Sequence, residues 1–345
     1  MPWGPPPGPG EGPSRMILGA AYNVFDNEEL LEASVRSIRS EVDFVAIVYQ
    51  RTSNFGAPCS AELMPTLGAL RDIGLVDELI EYAPRTFTLE EKKKLISRRA
   101  TDQHLGGTSV TDLGEQFFNE LTKREVGRRA CAARDCNYFM SMDCDEFYHA
   151  AELRAVKALT LRENYECVCC YMRTFFKWPT EELVPAEEAN CVPVLYRILE
   201  HLPFRLACPY PCLVDPTRKL ENLRRLHVAG RSVVQMHHFS FVRRHIRSKL
   251  LNVSNRGNYA GGGAPEALEL FARRFEAWQP SHGVLHPHPY YQQAFKRTAC
   301  VPNWFGIDAS QWGQEPCERV PSQSDTLGCT EPELKPSASA NDGID

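Results

Sequence analysis

The sequence contains no apolar run approaching the roughly 20 residues needed to cross a bilayer. Its first fifteen residues, MPWGPPPGPGEGPSR, carry Pro and Gly where a secretory leader needs an apolar stretch. Positive charge is not in excess: 39 Lys and Arg stand against 44 Asp and Glu, for a net charge of −5. That excludes a chain built to coat nucleic acid, whose affinity comes from a basic face. It does not exclude an anionic small molecule, because one metal ion and two arginines reverse the sign locally. No internal repeat is present. The expectation is a soluble, cytoplasmic protein without nucleic acid or a transmembrane segment. A lumenal or Golgi location is the alternative if an anchor lies outside this sequence.

What is present is the composition of a globular domain, with 43% hydrophobic and 24% charged residues. Its 345 residues suffice to bury a core without staples. The 13 cysteines are odd in number and mostly scattered, which reads as reduced thiols filling core space. Cys208 and Cys212 have the spacing of half a zinc site but lack a second pair. Residues 1–15 and 309–345 are polar or rich in Pro and Gly and read as disordered tails. The domain between them, 16–308, divides into a first half to residue 150 and a second half from 151.

Within the first half, strand and helix patterns alternate. Met16–Tyr22 and Val42–Tyr49 read as buried strands, and Leu75–Tyr82 as a weaker one. Between the first two, Leu30, Leu31, Ser34, Val35 and Ile38 share one helix face, with Asp26 or Asn27 as its cap. Helices are expected over Leu63–Ile73 and Asp112–Arg134, then a strand over Asn137–Met142. In the second half, Val168–Phe175, Val192–Ile198 and Ser232–Phe241 read as strands. Arg243–Leu251 and Phe271–Trp278 read as helices. The alternation predicts an α/β fold: three layers, with a mostly parallel sheet between helices. Ligands in such sheets bind beyond the carboxyl ends of the strands.

Asp143-Cys144-Asp145-Glu146 follows the strand at Asn137–Met142 and so sits at such an end. On extended backbone, residues i and i+2 point the same way. Asp143 and Asp145 can therefore converge on one hard divalent cation, Mn2+ or Mg2+, which keeps open positions for phosphate oxygens. Such a metal offsets charge building on a diphosphate leaving group. An isolated Asp-x-Asp is equally a solvated turn; the preceding apolar strand and Arg-bearing helix set this one apart.

The stretch Glu125–Phe147, EVGRRACAARDCNYFMSMDCDEF, resembles the GT-A glycosyltransferases, family 2 and its relatives in particular. Ala20-Ala21-Tyr22-Asn23 with Asn27–Leu30 is similar to their opening strand, donor loop and first helix. Met236–Arg243 and Val214–Arg218 resemble further segments of a family-2-like subgroup. The resemblance spans roughly residues 16–255. It implies a GT-A fold with a nucleotide-sugar half and an acceptor half, and sugar transfer with inversion. By it, Asp143 sits near the ribose and metal, and Asp145 ligates the metal. Tyr22 and Asn23 line the nucleotide pocket, and Arg128 or Arg129 approaches the nucleotide. Gln50 stands where many relatives hold the base with an acidic residue. A histidine from the second half completes the metal site, His237 or His238; alternation along a strand admits only one, and His237 is favoured.

Arg243 and Arg247 share a helix face and can grip a diphosphate, or form a solvated basic face. An inverting enzyme needs a carboxylate base. The candidates are Asp215, taken first, then Glu146, Glu187 and Glu188; Asp215 can equally shape a turn in Asp-Pro-Thr-Arg. The acceptor, whether glycan, lipid-linked or protein, is not legible. Alternatives to a glycosyltransferase are a nucleotidyltransferase, which the Gly-free loop Asn23–Asn27 disfavours, a phosphatase, which Phe147 disfavours, and a non-catalytic nucleotide-sugar binder.

Overall fold

The computed structural model describes residues 12–100, 113–184, 190–254, 264–279, 297–308 and 310. Most of both expected tails, Glu187, Glu188 and the loop after Asn258 lie outside the described residues.

The chain opens β1 (Leu18–Val24), α1 (Glu28–Arg39), β2 (Phe44–Tyr49), α2 (Leu63–Asp72) and β3 (Glu78–Glu81). It continues through α3 (Leu89–Leu95), α4 (Glu115–Ala132), β4 (Tyr138–Asp143), the two-residue β5 (Glu146–Phe147) and α5 (Ala150–Arg162). There follow β6 (Cys167–Phe176), β7 (Glu181–Val184), β8 (Cys191–Arg197) and a single 3₁₀ turn at Pro216–Arg218. Last come β9 (Leu226–Val228), β10 (Gln235–Phe241), α6 (Ile246–Asn252), α7 (Pro265–Ala277) and β11 (Arg297–Cys300).

One mixed sheet runs β11-β7-β6-β8-β4-β1-β2-β3. Its core, β4-β1-β2-β3, is parallel throughout. The strands from the second half join antiparallel through β8, which pairs both β4 and β6. β10 pairs parallel with β6 and antiparallel with β5. This is the α/β architecture expected, with mostly parallel core strands and helices on both faces.

Alternation along the strands makes the layers. Leu18, Ala20, Tyr22 and Val24 of β1 pack with Leu31, Val35 and Ile38 of α1, Leu67 of α2 and Leu153 of α5. Ala21, Ala46 and Phe139 turn to the other face and meet Phe118, Leu121 and Cys131 of α4. There α4 lies so close to β1 that a Cβ on Gly127 would meet the Cβ of Ala21 at 2.5 Å. The glycine is what allows that approach.

Element boundaries read from sequence hold within a few residues for the core strands. α3 and α5 were not expected. α3 carries a capping box: Thr88 accepts from the Glu91 backbone N–H while Glu91 accepts from that of Thr88. α5 buries Leu153, Val156 and Thr160 at helical spacing. No helix among the described residues is long and apolar enough to cross a membrane.

Candidate functional site

β1 has β2 on one side and β4 on the other. The chain thus leaves β1 for one neighbour and later returns on the opposite side. The carboxyl ends of β1 and β4 flank the crevice where open α/β sheets take ligands. Asn23 and Asp143 are partners in register there. Beside them three buried polar atoms lack a hydrogen-bond partner: Asn23 Nδ2, Asn27 Nδ2 and Asn27 Oδ1. Orphaned buried amides are costly and uncommon. Asn27 is also held in the left-handed region, at φ 68°, a conformation Asn tolerates better than most residues.

Asp143 is gripped by two arginines. Arg218 Nη2 donates to its Oδ2 at 2.6 Å, and Arg124 lies 3.3 Å from Oδ1. Burial acts to raise the Asp143 pKa, but the two guanidiniums outweigh it and hold the carboxyl well below its usual range. Asp145 is more enclosed. Arg243 Nη2 donates to its Oδ2 at 2.9 Å, and Lys249 Nζ lies 3.6 Å from the same atom. Against burial, Lys249, His238 and Arg243 bring its pKa down to about 2. Arg243 also reaches Asp26 at 3.1 Å, tying the loop after β1 to the acidic segment.

Glu146 is buried and serves as a clamp. It accepts from both Nη1 and Nη2 of Arg218 and from the Asp143 backbone N–H at 3.1 Å. Burial, opposed by Arg218, raises its pKa. On α4, Lys123 Nζ donates to Gln50 Oε1 at 2.6 Å, and burial lowers the pKa of that lysine. Gln50 Nε2 in turn donates to Asn54 Oδ1 at 3.0 Å.

Asp143, Asp145, Glu146, Asn23, Gln50 and Arg243 therefore gather at one sheet edge. Others do not. Arg128 and Arg129 both pair with Glu125, and Arg129 is 76% exposed. The arginine of α4 that reaches Asp143 is Arg124. α4 runs back from the carboxyl ends of the strands, and four or five residues displace a side chain by roughly 6–7.5 Å along it. Tyr22 is fully buried on the α1 face, its hydroxyl 3.1 Å from Ser34 Oγ. It belongs to the core cluster on that face. Arg247 pairs with Glu269 and Glu276 and ties α6 to α7. Asp215 caps the 3₁₀ turn, accepting from Thr217 N at 2.7 Å and Thr217 Oγ1 at 2.6 Å. That turn delivers Arg218, the last residue of the Val214–Arg218 segment, to which the sequence reading gave no role.

The histidine beside the acidic pair is His238, whose Nε2 lies 3.8 Å from Asp145 Oδ1. His237 points the other way, as strand alternation requires. Register sets the choice: His238 opposes Glu146, and His237 opposes Phe147. Burial, opposed by Asp145, lowers the His238 pKa to about 4, so its imidazole is neutral at pH 7 and able to bind a metal.

The donors suit a divalent cation held by Asp145 Oδ1 and His238 Nε2. Among the described hydrogen bonds none uses Asp145 Oδ1, since Arg243 takes Oδ2. Both oxygens of Asp143 face arginines, which would leave that residue beside such an ion rather than on it.

No family model matches this sequence, and no curated protein matches it. Among solved structures it is similar to S. aureus TarS, at 12% identity and a TM-score of 0.37, covering 78% of this chain and 45% of that one. It is similar to S. aureus TarS 1-349 in complex with UDP-GlcNAc, at 12% identity and a TM-score of 0.36, over 76% and 73% of the two chains. The mannosyltransferase Ktr4p from S. cerevisiae follows at 9% identity and a TM-score of 0.27, over 48% of this chain and 41% of that one. The chain thus spans under half the length of full TarS. All three TM-scores fall below 0.5, and the α/β assignment rests on the strand order of the chain itself.

Proposed function

We propose that this protein is a metal-dependent glycosyltransferase of the GT-A type that takes a nucleotide-sugar donor at the carboxyl ends of β1 and β4. The observation that carries the reading is the juxtaposition there of unpartnered buried amides, Asn23 and Asn27, with the acidic pair Asp143 and Asp145. The amides offer donors and acceptors to a base or ribose. Lys123 and Arg124 extend the same edge with positive charge.

Asp145 and His238 would hold the ion, and Asp143 would stand beside it. Manganese suits a set containing imidazole better than magnesium does. When bound, the ion would bridge the diphosphate and stabilise the charge that develops as the sugar leaves. Arg243 and Lys249, already paired with Asp145, stand ready to share that charge. Arg218 and Glu146 would keep the acidic segment in place: with both Glu146 oxygens on Arg218, Glu146 is better suited to positioning than to taking a proton. Asp215, committed to its turn, is likewise a positioning residue in this reading. Inversion at the sugar would follow the family resemblance.

Thermal unfolding with Mn2+ and a panel of nucleotide sugars tests the donor site. A ligand at a hundred times its Kd adds about 2.7 kcal/mol. Stabilisation by at least one donor in the wild type, lost in Asp145→Asn, supports the reading. No stabilisation by any donor overturns it.

A further inference from the structure

On the opposite face of β10 from His238, a second group of metal-type ligands converges. His149 precedes α5, and Glu152 lies three residues later, on the same side of its first turn. His237 completes the group from β10: one ligand atom from each of His149, Glu152 and His237 lies within 4.8 Å of the other two. Among the described residues no other trio of His, Cys, Asp or Glu does this. His237 is 1% exposed, and its Nδ1 has no hydrogen-bond partner. Burial first, then Arg173 and His149, push its pKa down to about 2, so the ring is neutral.

The surroundings are those of a built site. The Gln235 backbone N–H donates to Glu152 Oε2 at 2.9 Å and fixes that carboxylate. Phe305 stacks on His149 with centroids 4.9 Å apart. Trp304 and Phe305 meet His237 edge-on at 5.2 and 5.1 Å. This aromatic cover limits water and lowers the local dielectric, as shells around metal ligands do. The nearby Arg173 is committed to both oxygens of Glu182.

We propose that His149, Glu152 and His237 bind a divalent transition metal of the zinc class, at a site separate from Asp143 and Asp145. Two imidazoles and one carboxylate form a borderline donor set that favours zinc over magnesium or calcium. Three protein ligands leave a fourth tetrahedral position open. Ligand distances of about 2.0–2.2 Å place tetrahedral donors roughly 3.4 Å apart, so small side-chain rotations close the site. The inference is independent of the donor-site reading.

Cobalt(II) is the probe, titrated into untagged, chelator-treated full chain and followed by its visible d–d absorption. Wild type is expected to take up about one equivalent in a low-symmetry site, with displacement by zinc. His149→Ala and Glu152→Gln change half-buried positions and spare the buried His237; each, checked for fold by circular dichroism, is expected to weaken binding at least tenfold. Asp145→Asn is expected to keep the band. A wild type without the band, cobalt affinity within tenfold of wild type after either substitution, or loss of the band in Asp145→Asn overturns the proposal.

Discussion

Removing Arg218 provides the sharpest test of how the acidic segment is held. Arg218 is 3% exposed, and its guanidinium bonds Asp143, both oxygens of Glu146 and the Ser141 carbonyl oxygen. Arg218→Met keeps the volume and removes the charge, leaving Glu146 buried and Asp143 with Arg124 alone. Breaking a buried pair in this way costs about 3–5 kcal/mol. For a chain of this size that is a fall in Tm of roughly 4–7 °C. Equilibrium unfolding in urea at unchanged m reads the loss directly. Glu146→Gln separates electrostatics from packing, because it removes the charge that Arg218 compensates. The double variant should then be more stable than the sum of the two single losses implies, by about 1–3 kcal/mol. Additive losses, or an Arg218→Met cost below about 1 kcal/mol, would refute the clamp.

Other outcomes follow from the same geometry. Arg124→Met should abolish donor stabilisation in thermal unfolding, whereas Arg128→Met should preserve it. His238→Ala should weaken the Mn2+ dependence of donor binding at least tenfold, and Arg247→Ala should leave it unchanged, both read by calorimetric titration. Gly127→Ala places a methyl group against Ala21 and should cost about 1–3 kcal/mol in urea unfolding through overpacking. Glu125, held below its usual pKa by Arg128 and Arg129 against the opposing effect of burial, should stabilise the fold above its unfolded pKa of about 4.3. Glu125→Gln should therefore be less stable than wild type at pH 7, with the difference vanishing as the pH falls through the folded pKa.

Much of this was legible because local pattern carried it. The apolar runs before Asn23 and Asp143 mark core strands, and the Asp-x-Asp spacing marks the edge where they end. Choices that depend on distant partners were not legible. The resemblance points to Arg128 or Arg129 near the nucleotide, whereas helical periodicity gives the face of α4 but not which turn reaches the strand ends, and it is Arg124 that contacts Asp143. Alternation says that one of His237 and His238 meets Asp145, yet parity is set by pairing with β5, 90 residues earlier in the chain. Arg218 bonds a carboxylate 75 residues away, and the resemblance of Val214–Arg218 to a family segment does not say which partner it takes. Lys123 and Gln50, 73 residues apart, meet for the same reason. The capping box at Thr88 and Glu91, by contrast, is local and marks α3 without any tertiary information, and the sequence reading missed it.

The most direct test of the central claim is product analysis of each nucleotide sugar that stabilises the protein, incubated with Mn2+ and without added acceptor. Slow release of nucleoside diphosphate and free sugar, absent in Asp145→Asn and His238→Ala, is the predicted result. Release of pyrophosphate, or a donor that binds and stays intact, would contradict it.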